Sequence, residues 1–195
     1  MHRYRQIEIR CGAVLEVVKC HPRKMRKGLE RQPIQKSPEE IRTANMRQAA
    51  KKLARLINTN FRPGDLHVTL TYRKENRPDP PEAKKSLRKF IDAMRKRYRK
   101  AGKELRWIAV TEYKNKAIHH HMIINNINDG VMTTADYIRE VVARACSPKF
   151  VQLYDEGEYS RLADYLIKET EKTFREPDSQ KNSVTPVVVT WHSRK

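Results

Sequence analysis

Three histidines stand in a row at His119-His120-His121, out of seven in the whole chain. They sit in residues 117–125, a short aliphatic, β-branched stretch without Gly or Pro, bounded by Lys114-Asn115-Lys116 and Asn125-Asn126. Apolar density of this kind between polar punctuation reads as an interior strand. Side chains alternate along a strand, so His119 and His121 share one face and His120 takes the other. Two imidazoles at i and i+2 on a rigid strand can hold one metal ion without bending the backbone. Glu112 lies seven residues before His119, a separation that returns its carboxylate beside the paired rings if the residues between them turn. One carboxylate oxygen and two imidazole nitrogens suit a divalent ion, with positions left open for water or phosphate oxygens. Three protein ligands with open positions belong to a reaction centre rather than a structural site. The plainer reading makes the two rings ordinary sheet residues and Glu112 an exposed hairpin charge. The pair together with Glu112 favours metal. His120 points toward the helix layer and is expected to be a satisfied core histidine.

A second group lies on a helix spanning 159–172. At about 100° per residue, Arg161, Tyr165, Lys168 and Lys172 fall within an arc of ~60°. Leu162, Ala163, Leu166 and Ile167 occupy the opposite arc and must face the core. Tyr165 therefore projects from the cationic side. A phenol flanked by cations ionises more easily, and phenolate is a competent nucleophile toward phosphorus. By itself the helix favours the plainer reading, a surface tyrosine shielding lysine stems. Tyr159 competes for the role but falls on the apolar arc.

These groups need a frame. Residues 4–20 alternate loosely around Cys11-Gly12 and suggest a hairpin. Residues 21–36 are basic and Pro/Gly-punctuated, either a phosphate-contacting arm or a solvated linker. Ser37-Pro38-Glu39-Glu40 starts a helix with Ser as N-cap, Pro at N1 and Glu closing a capping box. That helix should run to about residue 58 with Ile41, Leu53, Leu56 and Ile57 facing inward. Leu66, Val68, Leu70 and Tyr72 alternate with His67, Thr69 and Thr71, which makes a half-buried strand with a polar working face. Asp79-Pro80-Pro81-Glu82 caps a second helix, cationic along most of one side, that ends at Ala101-Gly102. A strand over 105–113 should pair with the histidine strand as a central antiparallel hairpin. A helix from Thr133 to about residue 145, a short strand over 150–154, the helix of Tyr165 and a valine-rich strand over 186–191 complete the order. The expected fold is α+β: one mostly antiparallel sheet of about five strands backed by helices.

The 195 residues suit a single domain over 1–195, with a core of about 37–175, an N-terminal hairpin and basic arm over 1–36, and a tail over 176–195. Lys+Arg number 42 against 23 Asp+Glu, a net charge of +19. A charge of this size favours a polyanion, with nucleic acid ahead of a membrane surface. Three widely spaced cysteines form no CxxC pair, so neither a disulfide framework nor a zinc ribbon is indicated. No apolar run approaches membrane-spanning length, and a cytosolic protein is expected. No GxxxxGK[ST] occurs, so the chain carries no P-loop ATPase of its own.

Together the residues resemble the HUH endonuclease superfamily, and within it the rolling-circle replication initiators (Rep proteins) of bacterial plasmids, integrative elements and phages. Three motifs occur in the family's order: the strand Val68-Thr69-Leu70-Thr71-Tyr72, the His-hydrophobic-His motif at His119-His120-His121 with Glu112 upstream, and a helical Tyr-x-x-Lys at Tyr165-Leu166-Ile167-Lys168. The departure is His120, where the family has an aliphatic. The resemblance implies a metal-dependent nickase of single-stranded DNA in which Tyr165 attacks a phosphodiester, leaving a 5′-phosphotyrosine and a free 3′-hydroxyl. Mn²⁺ or Mg²⁺ would be held by Glu112, His119 and His121, and Lys168 would stabilise the phosphotyrosine or orient phosphate. Thr69, Thr71, His67, Arg161 and Lys172 would contact DNA. An origin hairpin is the implied substrate and the bacterial cytoplasm the implied location, while the missing P-loop motif points to a helicase from the host or element as partner. Two alternatives stay open: a relaxase or single-tyrosine transposase with the same chemistry, and a non-catalytic single-stranded DNA- or RNA-binding module. The last usually stacks bases on aromatics, whereas aromatic content is 7% and the polar strand faces carry histidine and threonine.

Overall fold

The computed structural model describes residues 4–21, 35–112, 117–154 and 158–174, with side chains in the last stretch as far as Lys168. The strand expected over 186–191, nearly all of the basic loop, the turn over 113–116 and the side chain of Lys172 lie outside the described residues. The chain divides into two compact units, residues 1–60 with 156–164, and residues 61–155 with 165–195.

The first unit holds an antiparallel hairpin, β1 (Arg5–Cys11) and β2 (Val14–Cys20), and the helix α1 (Pro38–Asn60). The expected capping box is present. Ser37 Oγ accepts the Glu40 N–H at 3.2 Å, and the Glu40 carboxylate accepts the Ser37 N–H at 2.8 Å. The inward face of α1 differs from expectation. Leu53 and Ile57 are buried, but Ile41 and Leu56 are exposed, and Ala50, Ala54 and Asn58 take the remaining places. At about 100° per residue, Ile41 lies opposite the Ala50–Asn58 stripe and Leu56 well to its side. Small residues let the hairpin approach here. Gly12, in the hairpin turn at φ +58°, lies so close to α1 that a Cβ there would sit 2.0 Å from the Asn58 carbonyl oxygen.

The second unit is built on a four-stranded, wholly antiparallel sheet in the order β4 (Trp107–Glu112), β5 (His119–Ile124), β3 (Leu66–Tyr72) and β6 (Cys146–Gln152). The α+β class and the central hairpin are as expected. The described sheet has four strands rather than about five, and the N-terminal hairpin forms a sheet of its own. One sheet face packs Val68, Leu70, Tyr72, Met122 and Ile124 against α2 (Pro80–Lys100) and α3 (Thr134–Val142), forming the core with Leu87, Ile91, Met94 and Ile138. Asp79 caps α2 through the Glu82 N–H, and Thr133 with Asp136 forms a full capping box on α3. That helix stops three residues before the expected end, where Ala143 adopts φ +41°. The following strand therefore starts at Cys146, not near residue 150. Pro148 within it argues against a strand from sequence, but β6 is an edge strand, where a missing N–H is tolerated.

The helix α4 (Ser160–Phe174) carries Tyr165. Ala163 and Leu166 are buried and Tyr165 is 41% exposed, in line with the helical arcs. Tyr159 is buried just before the helix, its N–H donating to Asn58 Oδ1 at 3.3 Å.

Candidate metal and nucleophile site

The antiparallel registers assemble the site. On the face turned away from the core, β5 pairs His119 with Glu112 of β4 and Thr71 of β3, and His121 with Thr69 of β3. Directly opposed residues on one sheet face have their Cβ atoms about 5 Å apart, so a carboxylate and two imidazoles converge without any loop. Glu112 Oε2 lies 3.0 Å from His119 Nε2 and 3.7 Å from His121 Nε2. The two Nε2 atoms are 3.1 Å apart. Glu112 and His121 are buried, and the His119 side chain is 12% exposed.

The donor set fits a divalent ion. Glu112, His119 and His121 each offer one ligand atom, all within 4.8 Å of one another. His119 Nδ1 lies 2.7 Å from the Ala117 carbonyl. A carbonyl only accepts, so Nδ1 carries the proton and Nε2 presents its lone pair to the cluster. His121 Nδ1 is 3.3 Å from Thr69 Oγ1, which leaves its Nε2 turned the same way. Such partners on the remote nitrogen orient metal-binding imidazoles. Three electron-rich atoms facing one another at these distances call for a shared cation or proton.

Tyr165 Oη lies 3.1 Å from His121 Nε2, with the phenol ring edge-on to the imidazole. Residues 44 apart in sequence thus meet. His67 lies on the same sheet face, its ring centroid 5.6 Å from that of His121. Its buried Nε2 has no hydrogen-bond partner among the described residues, and burial lowers its pKa. Of the other candidates, Thr71 is half-buried opposite His119, while Lys168 is exposed on α4, one turn beyond Tyr165. Arg161 is exposed and belongs to the first unit.

His120 faces the core and is 1% exposed. Its Nε2 lies 3.0 Å from the Tyr72 hydroxyl and its Nδ1 2.8 Å from Thr111 Oγ1. A neutral ring with one N–H satisfies both contacts. Burial, and then the charges of His119 and His121, lower its pKa to about 4. Tyr72 is raised to about 12, chiefly by burial, and stays a phenol. Thr111 and the Ala117 carbonyl escaped sequence reasoning. Thr111 becomes visible only once the hairpin register is known, and a backbone carbonyl leaves no residue-type signal.

An antiparallel sheet with an acid and two histidines on one face and helices on the other is an α+β architecture consistent with an HUH-type fold. Residues 65–174, more than half of the chain, match the family of replication-associated proteins of the ORF2 type, and the chain belongs to that family of Rep-type replication initiators. No curated protein and no solved structure matches it. The family supports a role in replication initiation, and with it an interaction with DNA. No described helix is long and apolar enough to cross a membrane.

Proposed function

We propose that the protein nicks and rejoins single-stranded DNA at a replication origin, with Tyr165 as nucleophile and a divalent ion, Mn²⁺ or Mg²⁺, held by Glu112, His119 and His121. The observation that carries this reading is the 3.1 Å approach of Tyr165 Oη to His121 Nε2 inside the same cluster that offers three ligand atoms. The bound ion would supply Lewis acidity, polarising the scissile phosphate and stabilising charge on the leaving oxygen. The Tyr165 oxygen forms a bond to phosphorus as the bond from phosphorus to the 3′-oxygen breaks. The phenol proton departs and the 3′-oxygen gains one, leaving a 5′-phosphotyrosine and a 3′-hydroxyl. A later 3′-hydroxyl reverses the exchange, so joining needs no nucleoside triphosphate.

A nitrogen that coordinates an ion has no lone pair left for a phenol. With His121 Nε2 as a ligand, Tyr165 would give up that hydrogen bond and its hydroxyl could turn to the phosphate. Lys168, three residues along the same helix, is assigned to the phosphotyrosine oxygens. Thr69, Thr71 and His67 line the same sheet face and are assigned to the strand, with Arg161 and Lys172 as further phosphate contacts. The DNA substrate is an origin hairpin opened by a separate helicase in the bacterial cytoplasm.

One gel tests this. Labelled single-stranded origin DNA is incubated with Mn²⁺ or Mg²⁺ and wild type, Tyr165→Phe or His121→Ala. Wild type should form a covalent adduct, Tyr165→Phe none, and His121→Ala roughly 100-fold less. An adduct retained by Tyr165→Phe, or absent from wild type on every candidate origin, would sink the assignment.

A further inference from the structure

Strands β4 and β5 have two ends. Glu112 and His119 pair at one, and Trp107 and Ile124 at the other. Five residues at about 3.4 Å each put roughly 17 Å between them. Beyond the Trp107 end lies a cavity of about 450 Å³, lined by Arg62, Lys103, Glu104, Arg106 and residues 125–128. Its walls are fixed by hydrogen bonds. The buried Asp65 carboxylate accepts the Arg62 N–H at 2.9 Å on one oxygen and the Asn126 N–H at 2.8 Å on the other. Asn125 Oδ1 accepts the Arg106 N–H at 2.7 Å, and its Nδ2 donates to the Glu104 carbonyl at 3.0 Å. Asn126 Nδ2 donates to the Gly64 carbonyl at 3.0 Å.

The carboxylate and both amides are thereby committed to the wall. What faces a ligand is Arg62, Lys103 and Arg106, none of which forms an ion pair with a described residue. Against them stands the single carboxylate of Glu104. An excess of two positive charges suits one or two phosphodiesters. It falls short of the charge on a nucleoside triphosphate. Guanidinium forks match phosphate oxygens in pairs.

We propose that this cavity is a second phosphate site, which grips the backbone of the bound DNA away from the scissile position and so sets where along the strand the nick falls. The proposal rests on the nicking reading for its purpose, but its test does not. The roughly 17 Å between the two ends of the hairpin exceeds the span of a single nucleotide, so the gripped phosphate lies several positions from the scissile one.

The experiment measures binding in EDTA, where no cleavage occurs, on origin hairpins carrying one neutral methylphosphonate at each position in turn. Wild type is compared with Arg62→Gln/Lys103→Gln/Arg106→Gln, and with Arg106→Gln alone in case the triple variant does not fold. Neutralising one or two phosphates should weaken wild-type binding roughly two- to fivefold each and leave the triple variant unaffected. The triple variant's dependence of log affinity on log salt should be shallower by roughly 1 to 2. Tyr165→Phe should give the wild-type map, so failure of the catalytic assignment would leave this result standing. Either of two results overturns the proposal: cavity variants with the wild-type map and salt slope, or competition by a free deoxynucleoside triphosphate, which would assign the cavity to a mononucleotide.

Discussion

His119 Nε2, His121 Nε2 and Glu112 Oε2 lie within 3.0–3.7 Å of one another, and that convergence sets the expectations for single residues. Saturating Mn²⁺ at 100 times its Kd should stabilise the fold by about 2.7 kcal/mol, read as a rise in Tm that EDTA reverses and Glu112→Gln abolishes. Thr69→Val removes the hydroxyl 3.3 Å from His121 Nδ1 and should weaken Mn²⁺ binding roughly 10- to 100-fold by titration calorimetry, with the fold intact. His120 behaves oppositely. Its native pKa of about 4 lies below the ordinary histidine value of 6.5, so the unfolded chain binds the extra proton between those limits. Stability is then full above pH 6.5 and is lost as pH falls toward 4, by about 2 kcal/mol between pH 7 and 5. Urea unfolding at the two pH values should show His120→Gln losing less over that interval than wild type. That His119 and His121 share one sheet face while His120 takes the other is legible from alternation alone. The partners of His120 are not, because Tyr72 and Thr111 reach it from two other strands.

Local chemistry makes some elements plain and hides others. Ser37 with Glu40, Asp79, and Thr133 with Asp136 announce helix starts that the hydrogen bonds bear out. Strand β3 follows its alternation residue for residue, buried and half-buried in turn. The buried face of α1 is obscured because its large aliphatics outweigh a stripe of alanines, and β6 because a proline on an edge strand reads like a breaker. Neither departure reaches the candidate metal site, which needs only β3, β4 and β5. The encounter of α4 with His121 is a long-range event, and only the resemblance to Rep proteins anticipates it. Gly12 gives the element scale its own test. Gly12→Ala would force a Cβ to 2.0 Å from the Asn58 carbonyl and hold a non-glycine residue at φ +58°. It should destabilise the first unit by more than about 2 kcal/mol, seen as a lowered thermal or urea midpoint.

At the scale of the whole molecule, a net charge of +19 makes binding to DNA a matter of counterion release. If six to ten phosphates of a single strand are neutralised, log affinity should fall with log salt at a slope of roughly −4 to −7. A flat dependence in a filter-binding titration would contradict this. The same triple histidine also bears on how the chain reaches its fold. Sliding β5 by two residues against β4 keeps every side chain on its own face and sets His121, in place of His119, across from Glu112. That misaligned hairpin could still clasp an ion. The contacts of His120 with Tyr72 and Thr111 penalise it, since the slip would bring Met122 to their hydroxyls. An ion bound before the sheet has closed would hold that misaligned hairpin and slow the approach to the native register. Refolding in Mn²⁺ should acquire a slow phase that is missing when the ion is added last.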